Sequence, residues 1–254
     1  MSDPKSFYDA FATYYDLIFE DWEQTMLRQG AFITELIARE LPAVTNVRVL
    51  DAAAGIGTQS LPLARVGFQV ACRDLSAAAI GRLACEAEKR GVVVDANVAD
   101  MRHVHTSVSQ PVDVVLAFDN SVPHLLSDAD ILLAFKSFFR CLKPGGVCLL
   151  SVRDYDTASR TDLVHAYGVR WRDGLRYIPL QVWHWLDDSR YELRFHVVME
   201  SAPEPRLLTF VSEYYAVSVS RLLELLQQAG FVDSRRLDES FYQPVLVARH
   251  PATS

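Results

Sequence analysis

The residues best suited to chemistry lie in the stretch 47–60 and at an acidic residue that follows it, Asp74. The first part of the stretch is aliphatic without helical spacing, which predicts a buried strand. Gly55 and Gly57 then allow a tight turn and let a ligand lie against the main chain. Residues 68–73 predict the next strand. Asp74 ends it, where a carboxylate can accept hydrogen bonds from both hydroxyls of a ribose. The stretch therefore predicts an adenosine-type cofactor.

The spacing of the glycines narrows the choice of cofactor. A dinucleotide fingerprint has a third glycine three residues after the second, and this chain has Ser60 there. A phosphate-binding P-loop needs Gly-Lys-Ser/Thr, which does not occur in the sequence. The pattern favours a nucleoside without phosphates over NAD, with a nicotinamide dehydrogenase as a distant alternative. A plain tight turn between strand and helix would have the same two glycines.

Elements that alternate between strand and helix surround this stretch. Further strands are predicted at 92–98, 112–117 and 147–152, and helices at 77–90 and 128–141. Alternation of this kind indicates an α/β fold with a parallel sheet.

Two segments depart from the alternation. The N-terminal residues Tyr8, Phe11, Tyr15 and Phe19 have the spacing of one helical face, and a helix is predicted at 22–40 with Leu27 on its inward stripe. After residue 154, period-two runs at 177–186, 191–200 and 207–217 predict three antiparallel strands, the first two joined by a turn at 187–189. The added sheet is interpreted as a lid over an acceptor pocket. An edge extension or a dimer surface would give the same pattern.

Composition sets outer limits on function. The 254-residue chain carries a net charge of −7 and is 50% hydrophobic, so it can bury a core and is not expected to bind nucleic acid. Its four cysteines lack metal-ligand spacing, so we expect no metal site. No segment resembles a signal peptide or a membrane span, and the default expectation is a soluble cytoplasmic protein.

Several short motifs resemble those of the class I S-adenosylmethionine-dependent methyltransferases. Leu-Lys-Pro-Gly-Gly at 142–146 precedes the fifth strand, as in that family. Three further motifs are similar to glycine N-methyltransferase and its small-molecule relatives: Asn120-Ser121-x-x-His124, Arg153-x-Tyr155-Asp156 and Tyr214-Tyr215.

The resemblance implies a Rossmann-like α/β methyltransferase fold. Its mostly parallel seven-stranded sheet would have helices on both faces and an inserted antiparallel sheet after the fifth strand. The implied organisation is an N-terminal helical cap at 1–44, a cofactor-binding core at 45–153, an acceptor lid at 154–217 and a C-terminal helix with strands at 218–254.

The resemblance also implies the residues that bind S-adenosylmethionine. Asp51 would lie near its ammonium group, Asp74 would bind the ribose, and Asp100 with Met101 would meet the adenine. Asp100 as a helix N-cap and Phe118 as a core residue are the alternatives. The full set implied for the cofactor is Tyr8, Tyr15, Asp51, Ala53, Gly55, Gly57, Asp74, Leu75, Asp100, Met101 and Phe118.

For the acceptor, the resemblance implies that Arg153 binds a carboxylate, since a guanidinium matches one through two parallel hydrogen bonds. A structural ion pair with Asp119 or Asp154 is the alternative. Asn120 would lie near the amine, and His124 would orient it or take its proton, or else be an ordinary loop histidine. The implied catalytic residues are Asn120, His124 and Arg153, and the implied acceptor-binding residues are Asn120, Arg153, Tyr155, Tyr214 and Tyr215.

Two departures from the family pattern bear on the acceptor. Asp119 stands where the family has glycine, and a carboxylate there would either attract a cationic amine or crowd the pocket. The family's N-terminal arginine has no clear match. We therefore expect a small-molecule acceptor, preferably an amine. Methylation of oxygen or carbon on an aromatic acceptor, and a non-catalytic binding protein, remain as alternatives, and self-association stays open.

Overall fold

The computed structural model describes residues 4–200, 204–238 and 241–252. The larger of its two sheets has seven strands. They are β1 (Arg48–Asp51), β2 (Gln69–Asp74), β3 (Asp95–Val98), β4 (Val112–Ala117), β5 (Leu142–Ser151), β11 (Val232–Leu237) and β12 (Val245–Arg249). Their order across the sheet is β11-β12-β5-β4-β1-β2-β3, and every neighbouring pair is parallel except the two that include β12. The predicted mostly parallel seven-stranded sheet is confirmed.

Helices cover both faces of this sheet, as expected. They are α2 (Trp22–Glu40), α3 (Ser60–Arg65), α4 (Ala77–Arg90), α5 (Asp128–Cys141) and α6 (Val219–Gln228). Alternate residues of β4 face opposite sides, because side chains alternate along a strand. Val115 packs with α5 and α6, whereas Val114 and Leu116 pack with α2, α3 and α4. The result is two separate hydrophobic cores, one on each face.

Local signals in the sequence set where several helices begin and end. The Ser76 side chain caps α4 by accepting from the Ala79 N–H at 3.1 Å, and Gly91 ends that helix in the left-handed conformation, at φ 63°. The bounds of α4 and α5 are those predicted from the sequence. Among the described residues, no helix is both long and apolar enough to cross a membrane.

The second sheet contains five antiparallel strands instead of the three predicted. They are β6 (Leu163–Ala166), β7 (Arg170–Arg172), β8 (Leu175–Trp185), β9 (Arg190–Glu200) and β10 (Arg206–Tyr215), in the order β10-β9-β8-β6 with β7 also paired to β8. The two extra strands have three and four residues and no fully buried side chain. Runs this short are too brief for a periodic pattern to predict them. The turn at 187–189 is confirmed: the Asp187 carboxylate accepts from the Ser189 and Arg190 N–H groups at 2.8 and 2.9 Å.

Three further expectations are corrected. The N-terminal aromatic segment is α1 (Pro4–Phe11) followed by a 3₁₀ helix, Ala12–Ile18, so its aromatic residues do not share one continuous α-helical face. Leu27 is 50% exposed and does not belong to the inward stripe of α2. The strand predicted at 92–98 begins only at Asp95, because this edge strand pairs with β2 alone, from Asp95 onward.

The first turns of the chain join the two sheets. Phe11 lies against Phe195 of β9 and Phe210 of β10, with ring centroids 4.4 and 5.1 Å apart. This aromatic cluster holds the N-terminal segment over the carboxyl ends of the parallel strands. The side chains that line the cavities described below come from all three parts.

Candidate functional site

The turn after β1 forms one wall of a cavity at the carboxyl edge of the large sheet. Gly55 and Gly57 adopt positive φ angles of 52° and 98°. A side chain at Gly57 would meet Leu61 Cγ at 2.7 Å, so this glycine is required by packing of the turn against α3. At Gly55 a Cβ atom would meet nothing within 4 Å, and Gly55 lines the cavity.

Asp74 ends β2 and is fixed by the same turn. One carboxylate oxygen accepts the Gly55 N–H at 2.8 Å, and the other accepts the Ser76 N–H at 2.9 Å. Burial raises the pKa of Asp74 despite these hydrogen bonds. Each carboxylate oxygen accepts through more than one lone pair, so both oxygens keep capacity for further donors.

The cavity around Asp74 has a volume of about 260 Å³. Most of the side chains expected to bind the cofactor line it: Tyr8, Tyr15, Ala53, Gly55, Asp74, Leu75, Asp100, Met101 and Phe118. Their segments are distant in sequence and meet because parallel strands end at one edge of the sheet.

Asp51 and Gly57 do not line this cavity. Asp51 is 1% exposed, and its carboxylate accepts from the Ser60 hydroxyl at 2.6 Å and the Ala53 N–H at 3.3 Å. Burial raises its pKa to about 7. The Asp51 carboxylate is turned into the fold and holds the start of α3, and its place near the cofactor's ammonium group stays a prediction.

Asp100 is a helix N-cap, as one of the two alternatives had it, and it also lines the first cavity. It caps the 3₁₀ helix Met101–Ser107 by accepting the Arg102 N–H at 2.9 Å, and its side chain pairs with the Arg102 guanidinium at 2.6 Å. This ion pair holds its pKa below the usual value although burial opposes the shift. Asp100 still lines the cavity and retains acceptor capacity.

A second cavity of about 530 Å³ adjoins the first and shares Tyr8, Tyr15 and Asp119 with it. Its walls come from the N-terminal segment, α2, the second sheet and the loop before β12. Predominantly aromatic and aliphatic side chains line it, together with polar groups that include Asn120, Arg153 and Gln181. Two cavities that meet at three shared side chains suit two ligands that must touch.

Arg153 follows β5 and lines the second cavity. Its guanidinium lies over the Trp183 ring, with Cζ 4.0 Å from the ring centroid. The acids suggested as structural partners are engaged elsewhere: Asp154 pairs with Arg236 at 2.9 Å, and Asp119 accepts from Gln59 and Tyr242. The cation is thus held by an aromatic ring, and its hydrogen-bond donors are not used by either acid.

His124 lies at the wall of the first cavity, close to the second. Its Nε2 atom is 2.8 Å from the Tyr8 hydroxyl, and its Nδ1 atom is 3.3 Å from the Ser212 hydroxyl. Burial lowers its pKa to about 3, so the ring is neutral at physiological pH.

Residues 49–146 match the family model described as a methyltransferase domain. This segment, which runs from β1 into β5, is similar to a methyltransferase domain.

Curated proteins similar to this chain include two bacterial proteins named glycine/sarcosine N-methyltransferase. The one from Halorhodospira halochloris is 29% identical over 60% of this chain and 55% of its own length. The one from Aphanothece halophytica is 33% identical over 43% of this chain and 41% of its own length. The chain therefore spans about half the length of the curated relatives it matches.

Solved structures share the whole fold at lower identity. An S-adenosylmethionine-bound amino pentose methyltransferase from Micromonospora echinaspora has a TM-score of 0.78 at 17% identity, covering 95% of this chain and 96% of its own. A sugar N-methyltransferase from a Streptoalloteichus species has a TM-score of 0.76 at 18% identity, covering 93% and 92%. At these identities the likeness shows the fold, including the second sheet.

Of the three tyrosines expected to bind the acceptor, one lines the second cavity and two do not. Tyr214 lines the second cavity. Tyr155 is buried below it, where its hydroxyl accepts from the Asn120 amide at 2.7 Å and lies 2.9 Å from the Tyr191 hydroxyl. Tyr215 lies on the opposite face of β10 and donates to Asp128 at 3.0 Å. The structure does not bring the Tyr155 and Tyr215 hydroxyls to the cavities.

Asn120 lines the second cavity, but its side chain is engaged by protein groups. Its Oδ1 atom accepts the Arg153 N–H at 2.9 Å, and its Nδ2 atom donates to Tyr155. The residue is 6% exposed and adopts a positive φ of 61°. Asn120 thus fixes the backbone that presents Arg153, a positioning role that its sequence motif did not reveal.

Sequence analysis missed the polar side chains opposite Asn120. Gln29 of α2 and Gln59 are joined at 2.6 Å, and Gln59 also donates to Asp119 at 2.9 Å. Tyr242, before β12, donates to the other Asp119 oxygen. Gln29 falls between Met26 and Ile33 at helical spacing, and this place on the inward stripe of α2 was the available signal. No pattern in the sequence marked Tyr242.

Proposed function

We propose that this protein transfers a methyl group from S-adenosylmethionine to the nitrogen of a small-molecule amine that also carries a carboxylate. One observation supports this most directly. Asp74 lines one cavity, Arg153 lines the next, and the two cavities meet at Tyr8, Tyr15 and Asp119. A nucleoside cofactor and a carboxylated acceptor would then adjoin at the shared residues.

The cavity around Asp74 has groups that suit S-adenosylmethionine. The Asp74 carboxylate, already oriented by two backbone N–H groups, would accept from the ribose hydroxyls. Asp100 and Met101 would meet the adenine, and Phe118 would pack beside them. The rings of Tyr8 and Tyr15 would face the sulfonium cation, an interaction that contributes about 0.5–2 kcal/mol.

The second cavity has groups that suit a carboxylated acceptor. Arg153 would bind the carboxylate through its guanidinium fork, which lies over the Trp183 ring. Asn120 fixes the Arg153 backbone, so the guanidinium starts from a defined position. The names of the curated relatives, glycine/sarcosine N-methyltransferase, support an acceptor with an amine and a carboxylate.

The proposed reaction depends mainly on the alignment of the acceptor nitrogen, the methyl carbon and the sulfur. When bound, S-adenosylmethionine supplies a methyl group whose bond to sulfur breaks as the acceptor nitrogen's lone pair bonds to its carbon. Holding two reactants in line contributes roughly 7–11 kcal/mol, more than proton transfer usually does. Tyr8, Tyr15 and Tyr214 would exclude water from the junction, and His124 would fix the Tyr8 hydroxyl.

The alternative function, methylation of oxygen or carbon on an aromatic acceptor, has less support. That alternative relies on tryptophan rings lining the acceptor cavity. Trp171 is 70% exposed, and Trp185 stacks with Arg160 away from the cavity lining. Trp183 lies against Arg153. The tryptophans of the second sheet therefore favour a site for a carboxylate.

A methyl-transfer assay with labelled S-adenosylmethionine tests the proposal. Amino acids, amino sugars, phenols and carboxylates without an amine would be compared as acceptors. We expect transfer to carboxylated amines, and Arg153→Ala should lower kcat/KM for them by about 10–100-fold, the effect of losing charged hydrogen bonds. Arg160→Ala is the matched control, since it removes a second arginine stacked on a tryptophan of the same sheet. Equal losses in both variants, or none, would contradict the role of Arg153.

A further inference from the structure

Asp119 is a carboxylate at the junction of the two cavities. It lies two residues after β4 with a positive φ of 56°, and it lines both cavities. Its N–H donates to the Ser151 hydroxyl at 2.8 Å, which ties its backbone to the end of β5. The side chain is therefore held where a cofactor and an acceptor would meet.

The protein groups that contact the Asp119 carboxylate are neutral. Gln59 donates to one oxygen at 2.9 Å, and the Tyr242 hydroxyl donates to the other. No described lysine, arginine or histidine forms an ion pair with it. Burial consequently raises its pKa. Buried charges in proteins are usually paired, so a carboxylate with neutral partners inside a cavity suits a cationic ligand.

The second cavity holds charges of both signs and a large apolar surface. Asp119 and Arg153 both line it, and its wall includes Phe11, Phe19 and Phe195. Its volume of about 530 Å³ lies within the ~300–1,000 Å³ typical of pockets for drug-sized ligands. An acceptor as small as glycine would leave most of this surface uncovered.

We infer that the acceptor is a zwitterionic α-amino acid with an apolar side chain, whose ammonium group binds Asp119 while its carboxylate binds Arg153. The inference rests on the proposed function and narrows its acceptor. The apolar side chain covers the aromatic wall of the second cavity. Asp119 thus supplies a negative charge that selects a cationic nitrogen.

Asp119 also takes part in the proton balance of the reaction. An ammonium nitrogen has no free lone pair, so one N–H bond breaks and its proton passes to the Asp119 carboxylate before transfer. The freed lone pair then forms the bond to the methyl carbon while the carbon–sulfur bond breaks. The positive charge moves from sulfur to nitrogen, and the protonated Asp119 returns its proton to water after the product leaves.

Calorimetric titration with two matched probes tests the inference. The probes are L-phenylalanine and 3-phenylpropionate, which differ only by the amine, each titrated into protein saturated with S-adenosylhomocysteine. In the parent, phenylalanine should bind at least about 10-fold more tightly than glycine. Asp119→Asn should weaken phenylalanine binding by about 10–100-fold and leave 3-phenylpropionate nearly unchanged. Arg153→Ala should weaken both probes.

The control variant is Asp188→Asn, which removes a carboxylate in the exposed turn between β8 and β9. It should bind both probes with the affinity of the parent. Equal weakening of both probes by Asp119→Asn would overturn the inference, as would a parent that prefers glycine or binds neither probe. Weakened S-adenosylhomocysteine binding in Asp119→Asn, with the preference for phenylalanine intact, would assign Asp119 to the cofactor and also overturn it. A parent that binds no S-adenosylhomocysteine would instead contradict the proposed function.

Discussion

The guanidinium of Arg153 lies over the indole ring of Trp183, with Cζ 4.0 Å from the ring centroid. Trp183 belongs to β8 of the second sheet, whereas Arg153 follows β5 of the first. The stacking therefore couples the two sheets at the proposed acceptor site. A cation–π contact of this kind uses none of the guanidinium's hydrogen-bond donors.

Replacing this ring should weaken acceptor binding. We expect Trp183→Leu to raise the KM of a carboxylated acceptor by about 3–30-fold, because a cation–π contact contributes roughly 0.5–2 kcal/mol. Steady-state kinetics with saturating S-adenosylmethionine would measure it. Trp185→Leu, which removes the ring stacked with Arg160, is the control and should leave KM near the parent value. A similar rise in both variants would indicate general damage to the sheet.

Asp74 should matter to cofactor affinity and little to acceptor affinity. Asp74→Asn replaces one acceptor oxygen with a donor amide, which conflicts with the N–H groups of Gly55 or Ser76 or with a ribose hydroxyl. We expect the Kd for S-adenosylmethionine to rise by about 10–100-fold, measured by calorimetry. An unchanged Kd would place the ribose elsewhere.

His124 should make stability depend on pH. Burial lowers its pKa to about 3, against about 6.5 in the unfolded chain, so between these values only the unfolded state binds the proton. Stability contributed by this histidine is therefore complete above pH 6.5 and is lost as pH falls, by up to roughly 1.4 kcal/mol per unit. The urea unfolding free energies of the parent and His124→Gln, measured from pH 7 to 4, should show a shallower loss in the variant. Parallel curves would contradict the buried neutral ring.

Tyr155 should act on stability more than on acceptor binding. Tyr155→Phe leaves the Asn120 amide and the Tyr191 hydroxyl without their partner in a buried site. We expect a loss of about 1–3 kcal/mol in the free energy of unfolding, measured with urea. Tyr215→Phe, whose hydroxyl donates to the partly exposed Asp128, is the matched control and should cost less. A large rise in the acceptor KM with little loss of stability would instead indicate that Tyr155 contacts the acceptor.

The sequence was sufficient to predict the parallel sheet and the edge of it proposed to bind the cofactor, because both depend on local patterns. Buried strands have continuous aliphatic runs, and α4 and α5 have polar caps, so their positions follow from neighbouring residues. Strand ends then bring Gly55, Asp74 and Met101 together by topology alone. The short strands β6 and β7 have no such pattern and were missed.

Side-chain partners were decided only in the tertiary structure. Whether Arg153 pairs with an acid or stacks on a ring depends on β8, which lies about thirty residues later in the chain. Asn120 turns inward to hold the Arg153 backbone, and Tyr155 is buried beneath it, although both belong to motifs that suggested direct contact with the acceptor. Asp119 acquires its neutral hydrogen-bond partners from the turn before α3 and the loop before β12. Periodicity and spacing report which face of an element is buried, but the polar neighbours of a buried group come from distant segments and are known only once those segments pack.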